Sequence, residues 1–185
     1  ERAAEVAMLP ADGVGLMRAD FIIANICEHP KTMLKKGKGT EFTTKLADGM
    51  RGIAQSFHPR PVVYRATDFK TNEYRDLKGG KEFEPEEANP MLGYRGAYRY
   101  IKDPDVFKLE IEAIKLVRNR MRLENLWLMI PFVRTVEELE KVKVLLAKNH
   151  LEQAHDFKLW MMVEIPSNVL LIDEFLDVGI DGISF

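Results

Sequence analysis

The segment GVGLMRAD, residues 13–20, is a glycine-flanked apolar run that ends on Arg18. Its reading decides between two architectures. In a doubly wound dinucleotide fold the turn after the first strand carries G-x-G-x-x-G, because those glycines let the backbone approach a pyrophosphate. Here Arg18 stands where the last glycine belongs. A second run, PVVYRATDFKTNEY (61–74), has Val62, Val63 and Tyr64, β-branched and aromatic residues of strand character, followed by Arg65 and then Asp68. A third, LWMMVEIP (159–166), ends on Glu164. Charges at strand ends need water, a partner or a ligand, and three of them call for a common explanation.

Outward from these runs the order strand, loop, helix recurs. Leu46, Met50, Ile53 and Phe57 have helical spacing over 44–57. A long polar loop containing KGGKEFEPEEANP follows the second strand, and MLGYRG (91–96) reads as a short strand. Asp103 caps the next helix, with Pro104 at its first position and Phe107, Ile111, Ile114, Val117 and Met121 as its buried stripe. LWLMIPFV (126–133) is a wholly apolar strand. Thr135 to Glu138 form a capping box before a stripe of Val136, Leu139, Val142 and Leu146. After LWMMVEIP, Ser167 caps a helix to about Leu176, and DGISF begins a sixth strand. Strands alternating with helices predict a parallel sheet with α-crossovers, and continuously apolar strands predict burial on both faces. With no glycine fingerprint, the expectation is α/β: a (β/α)8 TIM-type barrel, broken off in its sixth strand.

The 185 residues suffice for one domain or part of a larger one, and both ends read as cut. The composition, 46% hydrophobic and 30% charged, is that of a soluble globular chain. A formal net charge of −2 with interspersed signs gives no nucleic-acid signal. There is no membrane-length apolar run and no signal-peptide core. The single Cys27 excludes an internal disulfide and points to a reducing, cytoplasmic setting.

In a barrel, strand C-termini converge on one mouth, where active sites lie. Arg18, Arg65 and Glu164 would meet there, joined by Arg95 if MLGYRG is a strand. Clustered guanidiniums repel unless an anion sits between them, and their planar forks match phosphate or carboxylate. A carboxylate at the same mouth suits pairing with an arginine or holding Mg²⁺. This set fits a small phosphorylated acid and stabilises charge on a phosphoryl group or an enolate. The plainer reading, local ion pairs of Arg65 with Asp68 and Arg18 with Asp20, stands beside it for each arginine singly. Asn168 reads as a helix start, the four histidines as turn or helix-end residues without metal-ligand spacing, Cys27 as a small buried residue, and Trp127 and Trp160 as core.

DGVGLMRADFI, RATDFKTNEYRDLKGG, EPEEANPMLGYRGAYRY, LMIPFVRTVEE and MMVEIPSN, in order over residues 12–185, resemble the C-terminal barrel of the phosphoenolpyruvate-utilising enzymes. TNEYRDLKGG and NPMLGYRGAYRY resemble the branch that turns ATP, pyruvate and water into phosphoenolpyruvate, AMP and phosphate more than the phosphate-dependent dikinases or enzyme I of the sugar phosphotransferase system. The resemblance implies a histidine on a separate mobile domain that carries the phosphoryl group from an ATP site to the pyruvate site. It implies that Arg18 and Arg65 bind phosphoryl group and substrate, that Arg95 is a further anion-binding arginine, that Glu164 is a Mg²⁺ ligand that also holds the substrate, and that the parent chain is a homodimer. The family's second acidic Mg²⁺ ligand, its proton-donating cysteine, its phosphohistidine domain and its nucleotide-binding domain have no counterpart in these residues. The expectation is one partial barrel domain over 1–185 that does not catalyse the overall reaction alone. A non-catalytic barrel that binds a partner or phosphorylated metabolite is the reading from a different class.

Overall fold

The structure, a computed structural model, describes residues 2–185. Its centre is a five-stranded parallel sheet: β1 (Val14–Arg18), β2 (Val62–Arg65), β3 (Leu126–Ile130), β4 (Leu159–Met162) and β5 (Gly182–Ser184). The strands lie side by side in chain order, so every connection is a crossover. The register runs Arg18 beside Arg65, Arg65 beside Met129, Met129 beside Trp160 and Trp160 beside Gly182. The helices between the strands cover one side, which makes the fold an α/β half-barrel with five strands among the described residues, and DGISF is the fifth of them. No described helix is long and apolar enough to cross a membrane.

Alternation along the strands separates two environments. Val62, Tyr64, Leu126, Leu128, Ile130, Leu159 and Met161 face the helices and join the main core. The residues between them, Val63, Met129 and Met162, form a second, smaller cluster with the half-buried Trp127 and Trp160. The two indoles stack at 6.4 Å. A Cβ on Gly182 would meet the Trp160 ring at 2.6 Å, so only glycine lets β5 pass this ring. Arg65 shares the face of Val63, whereas Tyr64 points the opposite way, into the helical layer.

The main helices obey their sequence patterns. Helix α4 (Gly39–Phe57) buries Leu46, Met50 and Phe57, and starts five residues earlier than its stripe predicts because Phe42 also packs inward. Helix α7 (Pro104–Lys115) buries Phe107, Ile111 and Ile114 and continues into a π-helical turn (Leu116–Arg120). Helix α8 (Val136–Lys148) buries Leu139, Val142 and Leu146.

Several local expectations are corrected. MLGYRG forms no strand: it is a 3-10 turn (Pro90–Leu92) leading into α6 (Gly96–Lys102), with Met91 and Leu92 exposed. Asp103 does not cap α7; its carboxylate pairs with Lys31. The Thr135 hydroxyl does cap α8, accepting from Glu138 N, but the Glu138 carboxylate reaches back to Arg134 N. The helix after β4 is two pieces, α9 (Pro166–Leu170) and α10 (Ile172–Asp177), and the Ser167 hydroxyl donates to Arg134 O instead of capping. Cys27 is exposed at a left-handed turn, φ 61°. His29 is a helix-end residue as expected, but a buried one, with Nδ1 accepting from Lys31 N at the start of α3 (Pro30–Lys35) and Nε2 3.0 Å from Glu84.

Candidate active site at the strand C-termini

Arg18 ends β1, Arg65 ends β2, and the two stand in direct register. Arg65 is almost wholly buried. Its Nη2 donates to Asp20 Oδ2, and its Nη1 lies 3.9 Å from Asp68 Oδ2. Its Nε is buried without a protein partner. Arg18 is exposed, lies 5.8 Å from the Phe21 ring, and has no ion-pair partner among the described residues. The expected pair of Arg18 with Asp20 is therefore absent: Asp20, in the first turn of α2 (Ala19–Ile26), serves Arg65 across the strands.

Arg95 reaches the same place without being on a strand. It precedes α6 in extended conformation, and Gly96, at φ 57°, turns the chain directly against Phe132. Its fork grips Asp68 twice, Nε to Oδ1 at 2.9 Å and Nη2 to Oδ2 at 2.6 Å. The guanidinium lies 4.1 Å over the Phe132 ring, an attraction between cation and ring quadrupole. Burial pulls the Arg95 pKa down, but the Asp68 bonds outweigh it and hold it above the ordinary value.

Glu164 follows β4. Its Oε2 accepts from Phe132 N at 2.8 Å, and Oε1 has no hydrogen bond among the described residues. The residue is open to solvent, yet enough protein surrounds the carboxyl to raise its pKa. Desolvation is the main cause. Asp68 adds to it, while the Phe132 N–H, Arg65 and Arg95 oppose it. Asn168, fully buried, fixes this corner: Oδ1 accepts from the N–H groups of Glu164 and Ile165, and Nδ2 donates to Val133 O at 2.8 Å.

Arg65, Arg95 and Glu164 thus lie close together with Arg18 beside Arg65, although Arg95 arrives there from a helix start and not from the strand its placement was conditioned on. Sequence reasoning gave Asp20 and Asp68 only as local ion-pair partners and missed that Asp20 pairs with Arg65 and that Asp68 stands between Arg65 and Arg95. Phe132 and Arg134 were missed entirely. Arg134 lies 4.7 Å from the Phe132 ring and donates to Leu92, Gly93 and Arg95 carbonyls, tying the loop before α6 to the loop after β3. The run of Phe, Val and Arg after an apolar strand was the available signal.

A parallel half-barrel that gathers arginines and carboxylates over its strand C-termini is the class of fold and surface the structure shows. A family model described as PEP-utilising enzyme, PEP-binding domain, matches residues 1–185, and the chain belongs to that family. It is similar to the probable phosphoenolpyruvate synthase of Staphylothermus marinus, 51% identical over 179 residues covering 95% of this chain and 21% of the relative. The phosphoenolpyruvate synthase of Aeropyrum pernix is 49% identical over 180 residues, 95% of this chain and 22% of the relative. That of Escherichia coli is 42% identical over 207 aligned positions, 100% of this chain and 26% of the relative. The chain therefore spans about a fifth to a quarter of the length of these curated relatives.

Proposed function

We propose that these residues are the phosphoenolpyruvate- and pyruvate-binding part of a phosphoenolpyruvate synthase, which converts ATP, pyruvate and water into AMP, phosphoenolpyruvate and phosphate. In this reading the five strands belong to an eight-stranded barrel. The nucleotide-binding and phosphohistidine domains lie elsewhere in the parent chain. The observation that carries the reading is Arg65, buried at a strand end beside Arg18, with Nε unpaired and only part of its fork used by Asp20 and Asp68. An anion entering between Arg18 and Arg65 takes up donors that the protein leaves open.

The same reading assigns a division of labour. Arg18 and Arg65 bind the phosphoryl group, and Arg95, anchored by Asp68, sets the positive wall opposite Glu164. The phosphoryl group leaves a histidine nitrogen of the mobile domain and bonds to the enolate oxygen of pyruvate. Preplaced guanidiniums stabilise the charge that develops on both. Glu164 fits a Mg²⁺ ligand: it offers one open carboxylate oxygen, and Mg²⁺ is usually held by one or two carboxylates with water and substrate oxygens completing the shell. The cation, when bound, polarises the substrate oxygens. A homodimer in the cytoplasm belongs to the same proposal; exposed Val169 and Leu170 on α9 are apolar surface that a second copy or the rest of the barrel would cover.

Phosphorus NMR of the full-length parent with ATP, pyruvate and Mg²⁺, phosphate withheld, tests this. Phosphoenolpyruvate, AMP and free phosphate are expected. Turnover only after phosphate is added, with pyrophosphate formed, overturns the synthase in favour of a phosphate-dependent dikinase.

A further inference from the structure

The buried face of α7 contains one carboxylate. Glu110 lies three residues after Phe107 and one before Ile111, in the middle of the apolar stripe, and is 2% exposed. An apolar side chain would pack there at less desolvation cost. What Glu110 does instead is accept three hydrogen bonds on one oxygen, Oε1: from the Tyr64 hydroxyl at 2.5 Å, from Thr67 N at 3.0 Å and from the Thr67 hydroxyl at 3.1 Å. All three donors are neutral. The Tyr100 hydroxyl donates to Thr67 O, so both sides of the Thr67 residue's backbone are held.

The neighbouring peptides are held as well. Ala66 N donates to Met129 O at 3.0 Å, and Asp68 N to Asp20 Oδ1 at 2.9 Å. Three successive N–H groups after β2 therefore have three acceptors from three different elements, α7, β3 and α2. Beyond the Ala66 bond to β3 this segment is not strand, and no ladder fixes Thr67 and Asp68. Its position decides where the Asp68 carboxylate sits, and Asp68 is the group that grips Arg95 and approaches Arg65.

We propose that Glu110 is a positioning residue for the anion site: by holding Thr67 from beneath, it fixes Asp68 between Arg65 and Arg95 and so sets the spacing of the two guanidiniums. This rests on reading those arginines as the anion-binding wall. Glu110 touches no substrate and acts only through Thr67 and Asp68. Burial supports the assignment, since it pushes the carboxyl up to about 7 against the bonds from Tyr64 and Thr67. A group kept under that penalty in an apolar stripe has a demand to meet, and the demand here is the Thr67 backbone.

The test uses the full-length parent protein, with phosphoenolpyruvate affinity in the presence of Mg²⁺ read by calorimetry and ATP-dependent labelling of the phosphohistidine read separately. Glu110→Leu removes the acceptor and is expected to weaken phosphoenolpyruvate binding about tenfold or more, the equivalent of one to two hydrogen bonds, with labelling by ATP retained. Glu110→Gln keeps one acceptor oxygen at the same reach and restores most of the affinity. Glu110→Leu with unchanged affinity, or Glu110→Gln as impaired as Glu110→Leu, overturns the role. If Glu110→Leu does not fold, Glu110→Asp, whose carboxylate is one methylene short of Thr67, replaces it, and unchanged affinity there overturns the role equally. Arg65→Ala is measured alongside. Loss of affinity in Arg65→Ala with none in Glu110→Leu overturns positioning alone, whereas unchanged affinity in Arg65→Ala overturns the anion-site reading beneath it.

Discussion

Arg95 and Asp68, 27 positions apart in the chain, meet as a two-pronged ion pair, with Nε and Nη2 each donating to a different carboxylate oxygen at 2.9 and 2.6 Å. Both residues are nearly buried, so the pair is desolvated, and Asp68 also faces Arg65 at 3.9 Å. The protein thus carries its own anion between two guanidiniums that would otherwise repel. A substrate anion adds to an arrangement already balanced; it does not have to assemble it.

Removing that anion is expensive. Asp68→Ala leaves Arg95 buried without its partner, and a loss of about 3 kcal/mol in unfolding free energy is expected. Urea unfolding of the parent protein measures it. Inorganic phosphate should raise the variant's midpoint more than that of the wild type, because it replaces the missing charge. A variant as stable as the wild type would contradict the role given to Asp68.

Arg18 and Arg65 separate stability from binding. Arg18 is exposed and unpaired among the described residues, so Arg18→Ala should change stability by less than about 0.5 kcal/mol. Its effect on phosphoenolpyruvate affinity should be about tenfold and should shrink as salt is raised. Arg65→Ala should damage both, because Asp20 then lies partly buried without its cation. Equal stability losses in the two variants would refute this division.

Two buried carboxylates tilt stability in opposite directions with pH. Glu110 has its folded value raised from 4.5 to about 7, and Tyr64, Tyr74, Tyr100 and Asp20 are the titratable groups around it. The folded state then holds the proton more tightly than the unfolded chain. Its contribution is complete below about 4.5 and is lost as pH rises to about 7, a swing of roughly 3 kcal/mol. Glu110→Gln, which has no proton to lose, should gain on the wild type by that amount between those limits. Glu84 behaves oppositely: burial raises its pKa, but the bonds from His29 and Arg99 prevail and lower it, so its stabilisation is present above the unfolded value and lost as pH falls through the folded one. Thermal unfolding of wild type and Glu110→Gln across pH 4 to 8 checks the first sign, and of wild type and Glu84→Gln from pH 5 downwards checks the second.

Gly96 is where backbone geometry serves the site. At φ 57° a side chain is strained, and a Cβ would lie 2.6 Å from Phe132 Cβ and 2.9 Å from two carbonyl oxygens. Gly96→Ala is expected to destabilise by about 2 kcal/mol and to move Phe132 off the Arg95 guanidinium. Weaker phosphoenolpyruvate binding at unchanged ATP labelling is the accompanying readout.

How much of this was legible follows from what each feature depends on. The runs ending at Arg18, Arg65 and Glu164 could be read directly, because apolar residues bounded by turns and charges encode a buried strand locally. The stripes of α4, α7 and α8 were legible for the same reason, since a 3.6-residue repeat is a property of neighbouring positions. MLGYRG misled because Met91 and Leu92 look like strand residues but have no strand beside them. Cys27 was misread as buried, and the burial of the helix-end His29 went unread, because an isolated polar or small residue carries no periodic signal. Glu110 did leave a trace, a carboxylate inside an apolar stripe.

The sequence by itself determined the alternation of strands and helices, the absence of a nucleotide-binding glycine turn, and which charges close the strands. Those are consequences of residue type and short-range spacing. Only the tertiary structure decided that Asp20 serves Arg65 and not Arg18, that Arg95 arrives from a helix start, and that Glu110 takes both donors of Thr67, next to Asp68. Each of these joins residues far apart in the chain, and an ion pair or hydrogen bond is set by distance and direction in space, which parallel strand order and helix packing supply and which no local pattern records.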